Sequence, residues 1–149
     1  MVISGGNFED CLSGLSDLLV DFYNMFNAWE VEAVNALDTK LSILEVHAIE
    51  ALGRRPSLKM RELAEILGVS TASVTAVVDK LEEKGFAVRK TTPADRRVYL
   101  VVLTERGFDL YEKHSGQHKK MAEAVVASIS GDQATMLVEM LRTIVNKPS

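Results

Sequence analysis

The sequence contains one cysteine, Cys11, among 149 residues. A single thiol excludes an internal disulfide framework and a multi-cysteine zinc finger. No uninterrupted apolar run approaches the roughly 18 residues that a membrane-spanning helix needs. The N-terminal residues include Glu9 and Asp10 where a secretory leader has a basic cluster before an apolar segment. We therefore expect a soluble protein with a cytoplasmic location.

Motifs of the common enzyme classes are also missing. The sequence has no glycine-rich phosphate loop, no nucleophile elbow and no carboxylate pair in a recognisable frame. We therefore expect a protein that is not an enzyme. Hydrophobic residues make up 47% of the chain, which is enough to form the core of one compact domain. We predict a single domain over residues 1–149.

Charge is unevenly distributed along the chain. The net charge is -4, although a protein that binds nucleic acid needs Lys and Arg for phosphate contacts. Residues 1–53 contain nine acidic and one basic side chain, whereas residues 54–106 contain seven acidic and eleven basic ones. Since the local field determines where a polyanion docks, residues 54–106 are the candidate nucleic-acid surface. Random scatter of surface charge is the alternative interpretation.

Apolar periodicity predicts long helices towards both ends of the chain. A 4-3-4-3 spacing that begins near Phe8 keeps one apolar stripe on one side of a helix. The stripe consists of Leu12, Leu15, Leu19, Phe22, Phe26, Trp29 and Ala33. Such a stripe usually packs on another long helix, which can belong to a second subunit. Another helix is predicted from Thr104, as its N-cap, to about Ile129, and Asp132 is predicted to open the last helix.

Shorter helices are predicted in the middle of the chain. The first covers residues 41–52, with an apolar line of Leu44, His47, Ala48 and Ala51. The next covers residues 60–67 and ends at Gly68, a typical helix C-cap. The third has Ser70 as its N-cap, runs to about Lys84 and places Val74, Val77, Val78 and Leu81 inward. Two short helices joined by a turn of about three residues that contains Gly form the helix-turn-helix pattern.

Strand-forming residues follow this pattern. Residues 86–91 and 97–103 are rich in β-branched and aromatic side chains and predict two strands. The connection between them is polar and contains Pro93, so we predict a hairpin with an exposed basic tip. The predicted fold class is mainly α with a small β-hairpin wing, a winged helix-turn-helix whose DNA-binding part covers residues 41–104.

The second helix of a helix-turn-helix enters the major groove, and its N-terminal residues touch base edges. Because the apolar residues of this helix face inward, the opposite side is exposed. The candidates for base contact at its N-terminal end are Ser70, Thr71, Ser73 and Thr75. Arg61 and Lys80 are better placed for phosphates. At the hairpin tip an arginine can enter the minor groove while a neighbouring carboxylate holds its guanidinium in place. Asp95, Arg96 and Arg97 supply these groups. Helix capping and a solvated charged turn are the simpler interpretations.

These segments together resemble the MarR family of bacterial regulators. The resemblance is carried by residues 60–85, by Asp95 to Arg97 and by residues 103–107, and it covers essentially the whole chain. It implies a triangular homodimer, with residues 7–36 and 105–147 as dimerisation helices. It also implies that Asp95 is the salt-bridging carboxylate of the wing, and that Arg97, with Arg96 beside it, is the minor-groove arginine.

The function implied by the resemblance is a repressor that binds a double-stranded, pseudo-palindromic DNA operator and is released by an effector. Two-fold symmetry would place the half-sites about one helical turn, ~10 bp, apart. A protein that keeps the winged fold but binds a protein partner is the rival interpretation.

All three histidines, His47, His114 and His118, are candidate metal ligands. His114 and His118 lie four residues apart, so they share one helix face, as a metal site would require. His47 could complete a three-histidine cluster if the second helix crosses the fifth. Possible fourth ligands are Glu30, Glu32, Glu45 and Glu50.

The family resemblance leaves the effector open. The histidines match zinc-binding positions of a zinc-sensing branch, but Val46 stands where that branch has a carboxylate, and no cysteine lies late in the first helix. The same segments also look like the regulators of fatty-acid synthesis, which share the histidines. We expect no required cofactor and an effector that is an acyl chain on acyl carrier protein, a small lipophilic molecule or a metal ion such as zinc. Packing alone would also explain the histidines.

Cys11 lies early in the first helix, where a peroxide-sensing branch of the family has its reactive cysteine. Its neighbours Leu12, Ser13 and Gly14 provide no Tyr or basic group that would lower a thiol pKa. We therefore expect Cys11 to be a small buried hydrophobic residue of the helical stripe.

Overall fold

The structure, a computed structural model, describes residues 5–37, 40–91 and 99–146. Its helices are α1 (Gly5–Asn35), α2 (Ile43–Gly53), α3 (Met60–Leu67), α4 (Thr71–Glu83), α5 (Glu105–Ala127) and α6 (Gly131–Val145). Its strands are β1 (Leu58–Lys59), β2 (Ala87–Thr91) and β3 (Tyr99–Leu103). The predicted fold class, mainly α with a β-hairpin, is confirmed. Among the described residues, no helix is both long and apolar enough to cross a membrane.

The strands form one antiparallel sheet in the order β1-β3-β2. Within the hairpin, Ala87 pairs with Leu103 and Thr91 pairs with Tyr99. The sequence did not predict β1, in which Leu58 pairs with Val101, because a segment of two residues is too short to show alternation.

Capping side chains explain where the helices begin. The predicted N-caps Ser70 and Thr104 are confirmed, since the hydroxyl oxygen of each accepts a hydrogen bond from a backbone N–H three residues later. The predicted starts of α2 and α6 are wrong by one or two residues. Ser42 caps α2 and Ser130 caps α6, each in a reciprocal capping box, so Asp132 lies within the first turn of α6.

The core surrounds α2, which packs against α3, α4, α5 and β3. Its predicted apolar line is partly wrong, because His47 is exposed while Val46, Ile49 and Leu52 are buried. A helix that is covered on nearly all sides has no single inward stripe for periodicity to reveal. By contrast, the inward stripe of α4, namely Val74, Val77, Val78 and Leu81, is buried as predicted.

Large apolar side chains of α1 and α6 are exposed on the single chain. In α1 they include Leu12, Leu15, Leu19 and Phe22, and in α6 they include Met136, Met140, Leu141 and Ile144. No residue of α6 is buried. Cys11 is exposed as well, so the prediction that it is buried does not hold for the single chain. We call these exposed side chains of α1 and α6 the apolar end face.

The start of α5 packs tightly on the backbone before β2. A Cβ atom at Gly107 would overlap the carbonyl oxygen of Phe86, which accepts a hydrogen bond from the backbone N–H of Thr104 at 3.0 Å. We expect Gly107→Ala to lower the free energy of unfolding by about 2–3 kcal/mol, because a backbone oxygen cannot move aside cheaply. Denaturant unfolding followed by circular dichroism measures the change.

Gly116 is the matched control for this substitution, because it lies in the same helix and nothing lies within 4 Å of a Cβ built there. Gly116→Ala should raise the free energy of unfolding by about 0.5–1 kcal/mol through helix propensity. Equal effects of the two substitutions would contradict the close packing at Gly107.

Candidate nucleic-acid interface and histidine cluster

The N-terminal end of α4 presents small polar side chains to solvent. Gly68, in the left-handed conformation with φ of 65°, ends α3 and allows the chain to turn into α4 after two residues. Ser70, Thr71, Ser73 and Thr75 are all exposed at this end, which is where the sequence placed them. The hydroxyl of Ser70 accepts a hydrogen bond from the backbone N–H of Ser73 at 3.1 Å, so Ser70 is also the helix cap.

The predicted phosphate-binding cations are both exposed. Arg61 lies on α3, where its Nε donates to Glu65 at 2.9 Å in an exposed pair. Exposed pairs of this kind contribute little to stability, so the guanidinium can exchange its partner for a phosphate. Lys80 lies on α4, with its Nζ 3.8 Å from a carboxylate oxygen of Glu45. Arg61 therefore lies on the helix before the turn, and Lys80 lies in the last turn of α4, away from its hydroxyl-bearing end.

Arg89 on β2 connects the hairpin to α4. Its Nη2 donates to Asp79 at 2.7 Å, its Nη1 pairs with Glu82, and its backbone N–H donates to Glu82 at 2.7 Å. No local sequence pattern marks Arg89, because the contact depends on how the hairpin folds over the helix. The candidate tip residues Asp95, Arg96 and Arg97 lie outside the described residues.

The three histidines surround one buried carboxylate, Glu30 of α1. One oxygen of Glu30 lies 3.1 Å from His47 Nε2 and 3.1 Å from His114 Nε2, and the other lies 3.2 Å from His118 Nε2. Glu30 and His114 are almost completely buried. The predicted meeting of α2 with α5 therefore occurs, and it brings all three histidines together.

Glu50 of α2 lies behind the histidines. Its two carboxylate oxygens are 3.3 Å from His114 Nδ1 and 3.8 Å from His118 Nδ1, and it also accepts a hydrogen bond from Arg54 at 2.8 Å. A carboxylate on the second ring nitrogen fixes the orientation of a histidine and makes it a better ligand. We call Glu30, His47, Glu50, His114 and His118 the histidine cluster.

Charge pairing sets the protonation of the cluster. Burial alone would raise the pKa of Glu30, but the hydrogen bond with His118 and the charge of His114 outweigh burial and lower this pKa below its ordinary value. Burial would lower the pKa of His114, but its hydrogen bond with Glu50 and the charge of Glu30 raise it. The cluster therefore contains ionised carboxylates facing imidazole nitrogens.

The other two carboxylates suggested as ligands lie elsewhere. Glu32 is exposed on α1. Glu45 is buried, and it pairs with Lys84 at 2.9 Å. Burial alone would raise the pKa of Glu45, but hydrogen bonds from the Ser42 backbone and from Lys84 lower it. The structure therefore excludes Glu45 and Glu32 from the cluster and leaves Glu30 and Glu50.

The ligand set of the cluster suits a divalent cation. Glu30, His114 and His118 can offer one ligand atom each, and these atoms all lie within 4.8 Å of one another. Zinc with bonds of about 2.0–2.1 Å in a tetrahedron holds its ligand atoms about 3.4 Å apart. The distances of 3.1 to 3.2 Å between Glu30 and the histidine nitrogens are close to that spacing. Residues of α1 and α5 would then share the cation, with His47 of α2 hydrogen-bonded to Glu30 beside it.

Sequence comparison shows which family the chain resembles. Residues 39–98 match the model of the MarR family. The HTH-type transcriptional regulator MhqR of Bacillus subtilis strain 168 is 29% identical over 104 residues, which are 70% of this chain and 72% of that protein. The helix-turn-helix segment of the chain is thus similar to the MarR family. The chain is a helix-turn-helix transcriptional regulator, and these relatives confirm the expectation that it is not an enzyme.

Two further relatives extend the comparison. The HTH-type transcriptional repressor MdtR of Bacillus subtilis strain 168 is 27% identical over 100 residues, which are 64% of that protein. Among solved structures, Streptococcus pneumoniae FabT in complex with DNA is 26% identical, with a TM-score of 0.77. That match covers 90% of this chain and 94% of FabT. The likeness therefore includes α1 and α5, outside the segment that the family model matches.

Proposed function

We propose that the chain is a cytoplasmic repressor that binds a pseudo-palindromic DNA operator as a homodimer. The observation that carries this proposal is the exposed, hydroxyl-bearing N-terminal end of α4. The same helix carries the exposed Lys80 in its last turn and is held to the hairpin by Arg89. A MarR-family structure with the same fold, FabT, was solved in complex with DNA. In this proposal residues 41–104 form the DNA-binding part, and the tip residues Asp95, Arg96 and Arg97 reach the minor groove.

The apolar end face supports the homodimer. A soluble monomer rarely exposes so many large apolar side chains on its terminal helices. A second copy of the same face would cover them in a two-fold interface built from residues 7–36 and 105–147. Two-fold symmetry would then present two copies of α4 to half-sites about one helical turn apart.

Selection of DNA duplexes from a random library tests this function. The full-length protein should enrich an inverted repeat with half-site centres ~10 bp apart. Affinity for the enriched duplex should fall steeply with salt concentration, as phosphate contacts require. Absence of any enriched repeat, together with binding that ignores salt, would favour a protein partner in place of DNA.

We propose further that the effector is a divalent cation, zinc by its ligand preference, held by Glu30, His47, His114 and His118. The hydrogen bond between Glu50 and the second ring nitrogen of His114 supports the proposal, because metal-bound histidines usually have such a partner. A bound cation would supply positive charge that links α1, α2 and α5. Since α2 also packs on α3 and α4, this link would couple the dimerisation helices to the DNA-binding part.

Glutamine substitutions in α1 separate this effector from simple packing. Glu30→Gln should weaken zinc binding by more than about 100-fold, because losing a ligand costs more than the 10- to 100-fold lost with a residue that only supports a ligand. Glu32→Gln, two residues away and exposed, should leave zinc binding unchanged. Competition with a chromogenic chelator measures the zinc affinity, and operator affinity is measured with and without the metal. Thermal unfolding of both variants checks that they fold.

The effector proposal fails if the chain binds no zinc at stoichiometric concentration. It also fails if bound zinc leaves operator affinity unchanged. Release of the operator by acyl chains on acyl carrier protein, in a protein free of zinc, would instead assign a lipophilic effector.

A further inference from the structure

The exposed face of α4 carries only small side chains over its first two turns. Residues 71–78 read TASVTAVV and contain no Arg, Lys, Asn or Gln. The exposed members of this segment are Thr71, Ala72, Ser73, Thr75 and Ala76. The first charged residue of the helix is Asp79, and it is engaged by Arg89.

This composition limits how α4 can read a base pair. The common specific contact to guanine is bidentate and needs Arg or Lys, and the bidentate contact to adenine needs Asn or Gln. Ala and the methyl group of Thr instead make apolar contact with the C5-methyl group of thymine. The exposed face therefore has the chemistry for thymine and lacks the chemistry for a bidentate contact to guanine.

Hydrogen bonds at the start of α4 already engage the hydroxyls of Ser70, Ser73 and Thr75. The Thr75 hydroxyl donates to the carbonyl oxygen of Thr71 at 2.9 Å. The Ser70 and Ser73 hydroxyls lie 2.9 Å apart, so one donates to the other. Thr75 can then offer a base only its methyl group and its acceptor lone pairs, which strengthens the apolar character of this face.

We propose that α4 reads thymine C5-methyl groups in the major groove, through Ala72, Thr75 and Ala76, so that each half-site is rich in A·T pairs where α4 docks. This inference rests on the proposed function and specifies the DNA sequence class that the same surface takes. Small side chains also let the helix approach the groove floor closely enough for methyl groups to meet at about 3.5–4 Å.

Deoxyuridine in place of thymidine tests this proposal, because it removes only the methyl group. On the duplex obtained by selection, each thymine to uracil change under α4 should weaken binding by about fourfold, the equivalent of one buried methyl group. The same change in flanking DNA is the control and should have no effect. Replacing guanine with 7-deazaguanine in the half-sites, which removes the N7 acceptor, should also leave affinity unchanged.

A protein variant locates the contact. Thr75→Ser removes one methyl group and keeps the hydroxyl. The loss of affinity caused by uracil at the base that faces this side chain should therefore fall from about fourfold to almost none. Lys80→Ala should weaken binding to all duplexes alike, and replacing thymine with uracil should still weaken binding by about fourfold. Insensitivity to uracil, or a tenfold loss with 7-deazaguanine, would overturn the thymine proposal. Failure to enrich any duplex would instead overturn the proposed operator binding.

Discussion

Glutamate at both Leu141 and Ile144 of α6 is expected to convert the dimer into monomers and to abolish operator binding. These side chains are 47% and 68% exposed on the single chain, which places them in the proposed interface. Burying a leucine or isoleucine contributes about 1.5–3 kcal/mol, and two-fold symmetry doubles the loss. With the cost of burying carboxylates added, the dimer dissociation constant should rise by roughly 10³-fold or more.

Light scattering after size-exclusion chromatography measures this change, and a DNA mobility-shift assay measures the loss of operator binding. Thr135→Glu is the control for an added carboxylate, since it places one such charge on the polar side of α6 and should leave the dimer intact. A double variant that remains dimeric at micromolar concentration would show that α6 lies outside the interface. Circular dichroism confirms that each variant keeps its helices.

Alanine at both Arg96 and Arg97 is expected to produce the second large effect. A dimer loses four cationic groups, and each phosphate contact contributes about 0.9 to the slope of log affinity against log salt concentration. The slope should therefore become shallower by about 2 to 4, and affinity at low salt should fall by roughly 10²-fold. Filter binding of the operator at several salt concentrations measures both quantities.

Removal of two other cations provides the control for the wing. Lys119 and Lys120 are exposed on α5 and lie outside residues 41–104. Lys119→Ala with Lys120→Ala changes the net charge by the same amount but should leave the salt slope within error of the original. An unchanged slope in the arginine variant would mean that the hairpin tip does not touch DNA and would favour the rival in which a protein is the ligand.

Local signals were sufficient to predict the helix-turn-helix from sequence. Gly68 and Ser70 mark the turn, and α4 buries one face only, so periodicity identified its inward and outward residues. Periodicity wrongly placed His47 on the inward side of α2, since this helix is buried on almost every side and has no single apolar stripe. The strand β1 has only two residues, and its pairing with β3 is a tertiary event that no local pattern records.

The histidine cluster was predictable only in part. The spacing of His114 and His118 is a local signal, because residues four apart share a helix face. The choice of Glu30 over Glu32 and Glu45 depends on how α1 crosses α2 and α5, which the sequence does not show. Arg89 was missed for the same reason, because its partners become neighbours only when the hairpin folds against α4.

The contacts of Arg89 have a consequence for protein engineering. They join α4 and the hairpin into one block, because Asp79 and Glu82 on the helix both hold the same guanidinium on β2. Replacing α4 alone with a foreign recognition helix would remove Asp79 and Glu82 and leave the hairpin misaligned with the helix. Transplanting residues 71–103 as one cassette would carry both carboxylates along and keep the spacing between helix and hairpin.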